Sequence, residues 1–96
     1  MLKHVVCFKM DSAENADEAA RPLKSMQGNV PMLRGLEVGR DILGSARSYD
    51  VYLGVLLENR AALEAYQRDP YHCNTVQTFM HAHALSSVSV DCMLGD

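Results

Sequence analysis

The chain has 96 residues, 48% of them hydrophobic and 22% charged, which is ample for one core and too short for two. Nine Lys and Arg against twelve Asp and Glu leave a net charge of −3, and the cations are scattered, so there is no basic footprint for nucleic acid. No apolar stretch approaches the ~18 residues of a membrane span, and Cys7, Cys73 and Cys92 lack paired CxxC spacing, so a cytoplasmic protein with reduced core thiols is expected.

Residues 2–10 carry the run Val5-Val6-Cys7-Phe8 between Lys3 and Lys9, the pattern of a strand buried on both faces. Alternation puts His4, Val6, Phe8 and Met10 on one face and Val5 and Cys7 on the other, so the His4 imidazole sits among large apolar neighbours. Asp11 or Ser12 caps the segment that follows, and Glu14, Asp17 and Glu18 suit the positive end of a helix running to about residue 27. Pro22 lies inside it with no N–H to give, which implies a kink or a later start. Residues 28–35, with Pro31, form a connection. Leu36, Val38 and Arg40 then alternate with Glu37, Gly39 and Asp41 as a short strand. After a turn at Gly44 and Ser45, residues 49–57 are an almost unbroken β-prone run, the central strand, with Gly54 as a bulge or close-approach point.

Asn59 caps a helix over residues 60–68, and Pro70 stops it. A residue before proline avoids the α region, so Asp69 ends one helix and caps the next, with Pro70 at its first position. That second piece runs over about 70–84. At about 100° per residue, Val76, Phe79 and His83 share the face of His72, with Cys73 and Met80 beside them, while His81 points to solvent. Val88, Val90, Cys92 and Leu94 alternate with Ser87, Ser89, Asp91 and Met93 as the last strand.

The order is β-α-β-β-α-β, which an α+β, ferredoxin-like fold satisfies with a four-stranded antiparallel sheet and both helices on one face. The other face stays uncovered. Because the first and third strands are apolar on both faces, that side exposes apolar area that a second copy would cover, and a homodimer is expected. No GxGxxG, P-loop or repeated Cys/Met spacing is present, so no nucleotide, metal or other cofactor is implied. The methionines, among them Met26 and Met93, read as core or interface filler, and Arg34 and Arg40 as solvated charges.

Several of these segments together resemble the stress-responsive A/B barrel (Dabb) domains, which are dimeric ferredoxin-like α/β barrels. The likeness spans nearly the whole chain, read as one such domain over residues 1–96. It is carried by Lys3-His4-Val5-Val6 with Phe8-Lys9, by Leu36-Glu37-Val38-Gly39-Arg40, by Tyr49-Asp50, and by Leu63-Glu64-Ala65-Tyr66 followed by Asp69-Pro70-Tyr71-His72. The last piece is similar to the family's Tyr-x-x-His-Pro-x-His signature, with Asp69 standing where the first histidine usually is. A plant polyketide cyclase of this family closes a ring by aldol condensation, using a tyrosine and a histidine that correspond to Tyr66 and His72, and His4 corresponds to a further pocket histidine. Polar pocket positions of that enzyme align with Leu23 and Val51, which implies a more apolar cavity here.

The resemblance thus implies a cavity for a small hydrophobic carbonyl compound, with His72 as general base and Tyr66 as hydrogen-bond donor to an enolate, and with no cofactor. A non-catalytic ligand-binding or stress-related dimer is the alternative. A cofactor-free monooxygenase is a third, for which no residue pattern speaks.

Overall fold

The structure, a computed structural model, describes residues 1–95. The elements in chain order are β1 (Leu2–Met10), α1 (Ala13–Glu18), α2 (Ala20–Lys24), β2 (Gly35–Arg40), β3 (Val51–Leu57), α3 (Arg60–Arg68), a π-helical turn (His72–Val76) that runs into α4 (Gln77–His83), and β4 (Ala84–Met93). The strands form one sheet in the order β2-β3-β1-β4, with every neighbouring pair antiparallel. This is the ferredoxin-like α+β arrangement.

Local chemistry explains where the helices start and stop. Ser12 is the first cap, its hydroxyl accepting the Asn15 N–H at 3.1 Å. The long helix expected to reach residue 27 is instead two short ones. Pro22 has no N–H to offer the Glu18 carbonyl four residues back, and its ring crowds that carbonyl, so the helix ends at Glu18 and restarts at Ala20. Asn59 caps α3 by accepting the Ala62 N–H at 2.9 Å. Asp69 holds the extended backbone required before Pro70, and its carboxylate accepts the His72 N–H at 3.0 Å. β3 begins at Val51 rather than at residue 49, and β4 begins at Ala84, where it pairs with Met10 beyond an irregularity at Lys9.

The π-helical turn changes the phase of everything after it. The Gln77 N–H reaches the His72 carbonyl, five residues back, so one extra residue is wound into the turn. Relative to a regular α-helix this rotates the following residues by about 100°. His72, Val76 and Met80 therefore form the buried stripe, Phe79 is only half-buried, and the face expected from an unbroken α-helix is corrected accordingly. His83 swings off that stripe to Asp11, its Nδ1 lying 3.0 Å from Oδ2.

The helices cover one face of the sheet. Leu2, Val6 and Met10 of β1 and Val51, Leu53, Val55 and Leu57 of β3 pack there against Leu23, Met26, Tyr66, Val76 and Met80. The opposite face carries Val5 and Cys7 of β1, Tyr52 and Leu56 of β3, and Val88, Val90 and Cys92 of β4; no helix among the described residues covers it, and the 41–50 connection borders its Cys7, Tyr52 and Val88 end. Cys92 is exposed and Cys7 and Cys73 are half-buried, so the three free thiols are not the core residues expected; Met93 is exposed as well.

Candidate functional site

A cleft of about 410 Å³ opens between β1, β4 and the helical layer, on the helix-covered side of the sheet. Val6, Phe8, Leu23, Leu53, Val76 and Met80 give it apolar walls. His4, Tyr66 and His72 all line it, as do Gln67, Gln77 and His81. Three elements thus bring the three sequence-derived candidates together. His4 comes from the inward face of β1, Tyr66 from the last turn of α3, and His72 from the π-helical turn. Leu23 is in the wall, whereas Val51 is buried away from the cleft. Arg34 and Arg40 stand outside it, paired with Glu58 and Asp17 at 3.1 and 2.9 Å.

Tyr66 stands between the two imidazoles. The His72 ring stacks on it with centroids 4.2 Å apart, and the His4 ring meets it edge-on at 5.6 Å. His72 is 8% exposed, and its Nδ1 is a buried atom with no hydrogen-bond partner. Such an orphan costs about 1–3 kcal/mol. Burial pushes the His72 pKa below the ordinary 6.5, and the neighbouring His4 and His81 push the same way. The Asp69 carboxylate and the Tyr66 backbone carbonyl act in the opposite direction without cancelling this. His72 is therefore a neutral imidazole at neutral pH, with a ring nitrogen available inside the protein.

Tyr66 is fully buried. Its hydroxyl donates to Met26 Sδ at 3.8 Å, a weak acceptor. Desolvation, with a contribution from Asp69, raises its pKa far above the usual phenol value, so it stays protonated. His4 has a partner that sequence reasoning missed. Strand register sets Asp91 directly opposite His4, and the Asp91 carboxylate bonds His4 Nδ1. A carboxylate accepts, so Nδ1 carries the proton and Nε2 is left as the acceptor. The available signal was the polar stripe Ser87, Ser89 and Asp91 on β4, which shares the inward face with His4. His81 is exposed, as expected, and stands at the cleft rim. Among the described residues no three His, Cys, Asp or Glu side chains converge as a metal site, and no helix is long and apolar enough to cross a membrane.

The chain resembles several solved structures over nearly its full length. A dimeric ferredoxin-like protein of unknown function from Thermobifida fusca superposes with a TM-score of 0.84 at 20% identity, covering 97% of this chain and 90% of that one. A Dabb family protein from Mesorhizobium loti gives 0.70 at 23% identity, covering 98% and 97%. The hydroxynitrile lyase of Passiflora edulis gives 0.81 at 14% identity, covering 99% and 94%. No protein of curated function matches the chain. The family model described as the stress responsive A/B barrel domain matches residues 2–94, and the chain belongs to that family.

Proposed function

We propose that this A/B barrel protein works as a homodimer and carries out cofactor-independent acid/base chemistry on a small, mainly apolar carbonyl compound held in the cleft. The observation that carries this is the neutral, buried His72, whose Nδ1 has no partner, in a cleft shared with His4. A buried polar atom without a partner is relieved by a ligand that brings one. His72 takes a proton from the carbon beside the carbonyl, leaving its electron pair in an enolate. Tyr66 exchanges its weak bond to Met26 Sδ for one to the enolate oxygen, where charge develops in an apolar setting. His4, oriented by Asp91, accepts a hydrogen bond from the second polar group of the substrate at its other nitrogen, and the His72 imidazolium returns the abstracted proton to the product. Lyase chemistry is compatible with this scaffold, since a protein of the same fold is a hydroxynitrile lyase. The dimeric state of the Thermobifida neighbour and the bare sheet face support the homodimer.

The test is exchange of the α-methyl protons of acetophenone and its longer alkyl homologues in D2O, followed by NMR. The protein should accelerate exchange, and His72→Ala should abolish the acceleration. Tyr66→Phe should reduce it about 10-fold or more, the scale of one lost donor to a developing oxyanion. Saturable ligand binding with exchange at the buffer rate would instead favour a non-catalytic binding protein. Exchange unchanged in both variants would remove His72 and Tyr66 from the chemistry.

A further inference from the structure

The bare face of the sheet is not uniformly apolar. Over β3, one of the two central strands, Lys3 from β1 and Glu37 from β2 reach across and form an ion pair. The Tyr52 hydroxyl donates to the same Glu37 oxygen at 2.9 Å. The three side chains close over Gly54. A Cβ at Gly54 would lie 2.9 Å from Glu37 Oε1 and closer still to the Tyr52 hydroxyl, so only glycine leaves room for the cluster. The rest of this face, towards β4, is Val5, Cys7, Val88, Val90 and Cys92, with Val88 and Val90 50% and 60% exposed, and Lys9 closes its end with its ammonium donating to the Ser48 carbonyl.

We infer that the Lys3–Glu37–Tyr52 cluster is the polar key that sets the register of two copies packed bare face to bare face. This rests on the homodimer proposed above. An interface with two-fold symmetry must be complementary to itself. The apolar half meets that condition trivially. The cluster meets it because its charges are already paired within each chain, so it faces its own copy without like-charge repulsion and is buried without an unpaired charge. Two flat apolar sheets would slide; a neutral polar group at a single place penalises every alignment that covers it wrongly. A chain of 96 residues also gains stability from burying a whole sheet face, whereas a helix or loop would cover only part of it.

The experiment combines sedimentation velocity with thiol labelling of the full chain, because Cys92 on β4 lies on the bare face and Cys73 on the π-helical turn does not. Wild type should sediment as a dimer, with Cys92 labelling slowing as concentration rises and Cys73 labelling unchanged. Glu37→Gln leaves an unpaired ammonium at two symmetric places and should weaken dimerisation about 100-fold or more, with the monomer melting temperature nearly unchanged. Replacing both charges, Lys3→Met with Glu37→Leu, should restore a dimer to within about 10-fold of wild type, because no unpaired charge remains. A wild type that is monomeric at all concentrations would refute the homodimer itself. A stable dimer that Glu37→Gln does not weaken, or in which Cys92 stays reactive, would refute the polar key and leave the homodimer standing.

Discussion

Replacing His72 by Phe separates what this residue does for function from what it costs the fold. His72 is 8% exposed, stacked on Tyr66 at 4.2 Å, and its Nδ1 has no partner. Phe keeps the flat ring, removes the orphan atom, and has the cleft beside it to take up the added volume. Its backbone N–H still serves the Asp69 carboxylate, so the helix cap survives. Removing an unsatisfied buried polar atom returns up to about 1–3 kcal/mol, and a small loss to the larger ring leaves a gain of about 1 kcal/mol. For a domain of this size that raises Tm by about 4–8 °C. The gain should also depend on pH. A histidine whose folded pKa lies below its ordinary 6.5 binds fewer protons folded than unfolded, so stability rises with pH and is lost as pH falls below 6.5. Phe has nothing to protonate, so the Tm difference between variant and wild type should widen from pH 7.5 to pH 5.5. Thermal melts across that range, read beside acetophenone exchange, make the assay. Higher stability with lost exchange is the expected pair. A variant destabilised by more than about 1 kcal/mol, or a Tm difference independent of pH, would show that the Nδ1 atom is satisfied in solution and that the buried neutral histidine is wrong.

Other perturbations follow from the same geometry. Asp91→Asn keeps the shape but no longer imposes the Nδ1–H form on His4, and exchange should fall about 10–100-fold while Tm moves little, as for outer partners that orient a functional histidine. Gly54→Ala forces a methyl group into the Lys3–Glu37–Tyr52 cluster and should cost about 1–3 kcal/mol in chemical denaturation together with dimer affinity. Asn59→Ala removes the cap of α3 and should cost about 1 kcal/mol without altering exchange, a control that local stability and chemistry are separable. The rate profile of exchange should lose activity on its acid side below pH 6.5, where His72 becomes protonated; a limb well above 6.5 would point to another base.

Much of the molecule is written locally. The caps at Ser12, Asn59 and Asp69, the stop at Pro70 and the inward alternation of β1 are short-range chemistry, legible from the residue types and their spacing. The family likeness picked out His4, Tyr66 and His72, and all three line one cleft. The broken first helix was half legible: Pro22 announced a disturbance, but only its clash with the Glu18 carbonyl places the break.

What the sequence by itself determined is the order of elements and which face of each one is apolar, because both depend on periods of two and about 3.6 residues that neighbours in the chain set. Tertiary structure decided the rest of the site. The pairing of β1 with β4 joins His4 to Asp91, 87 positions apart, and no local pattern encodes a strand register. The π-helical turn adds a residue to one helical turn, sending His83 to Asp11, a phase that a regular helix cannot anticipate. The Tyr66 hydroxyl lies against Met26 because the core closed around it, so the one donor the chemistry would call on is set by packing rather than by spacing.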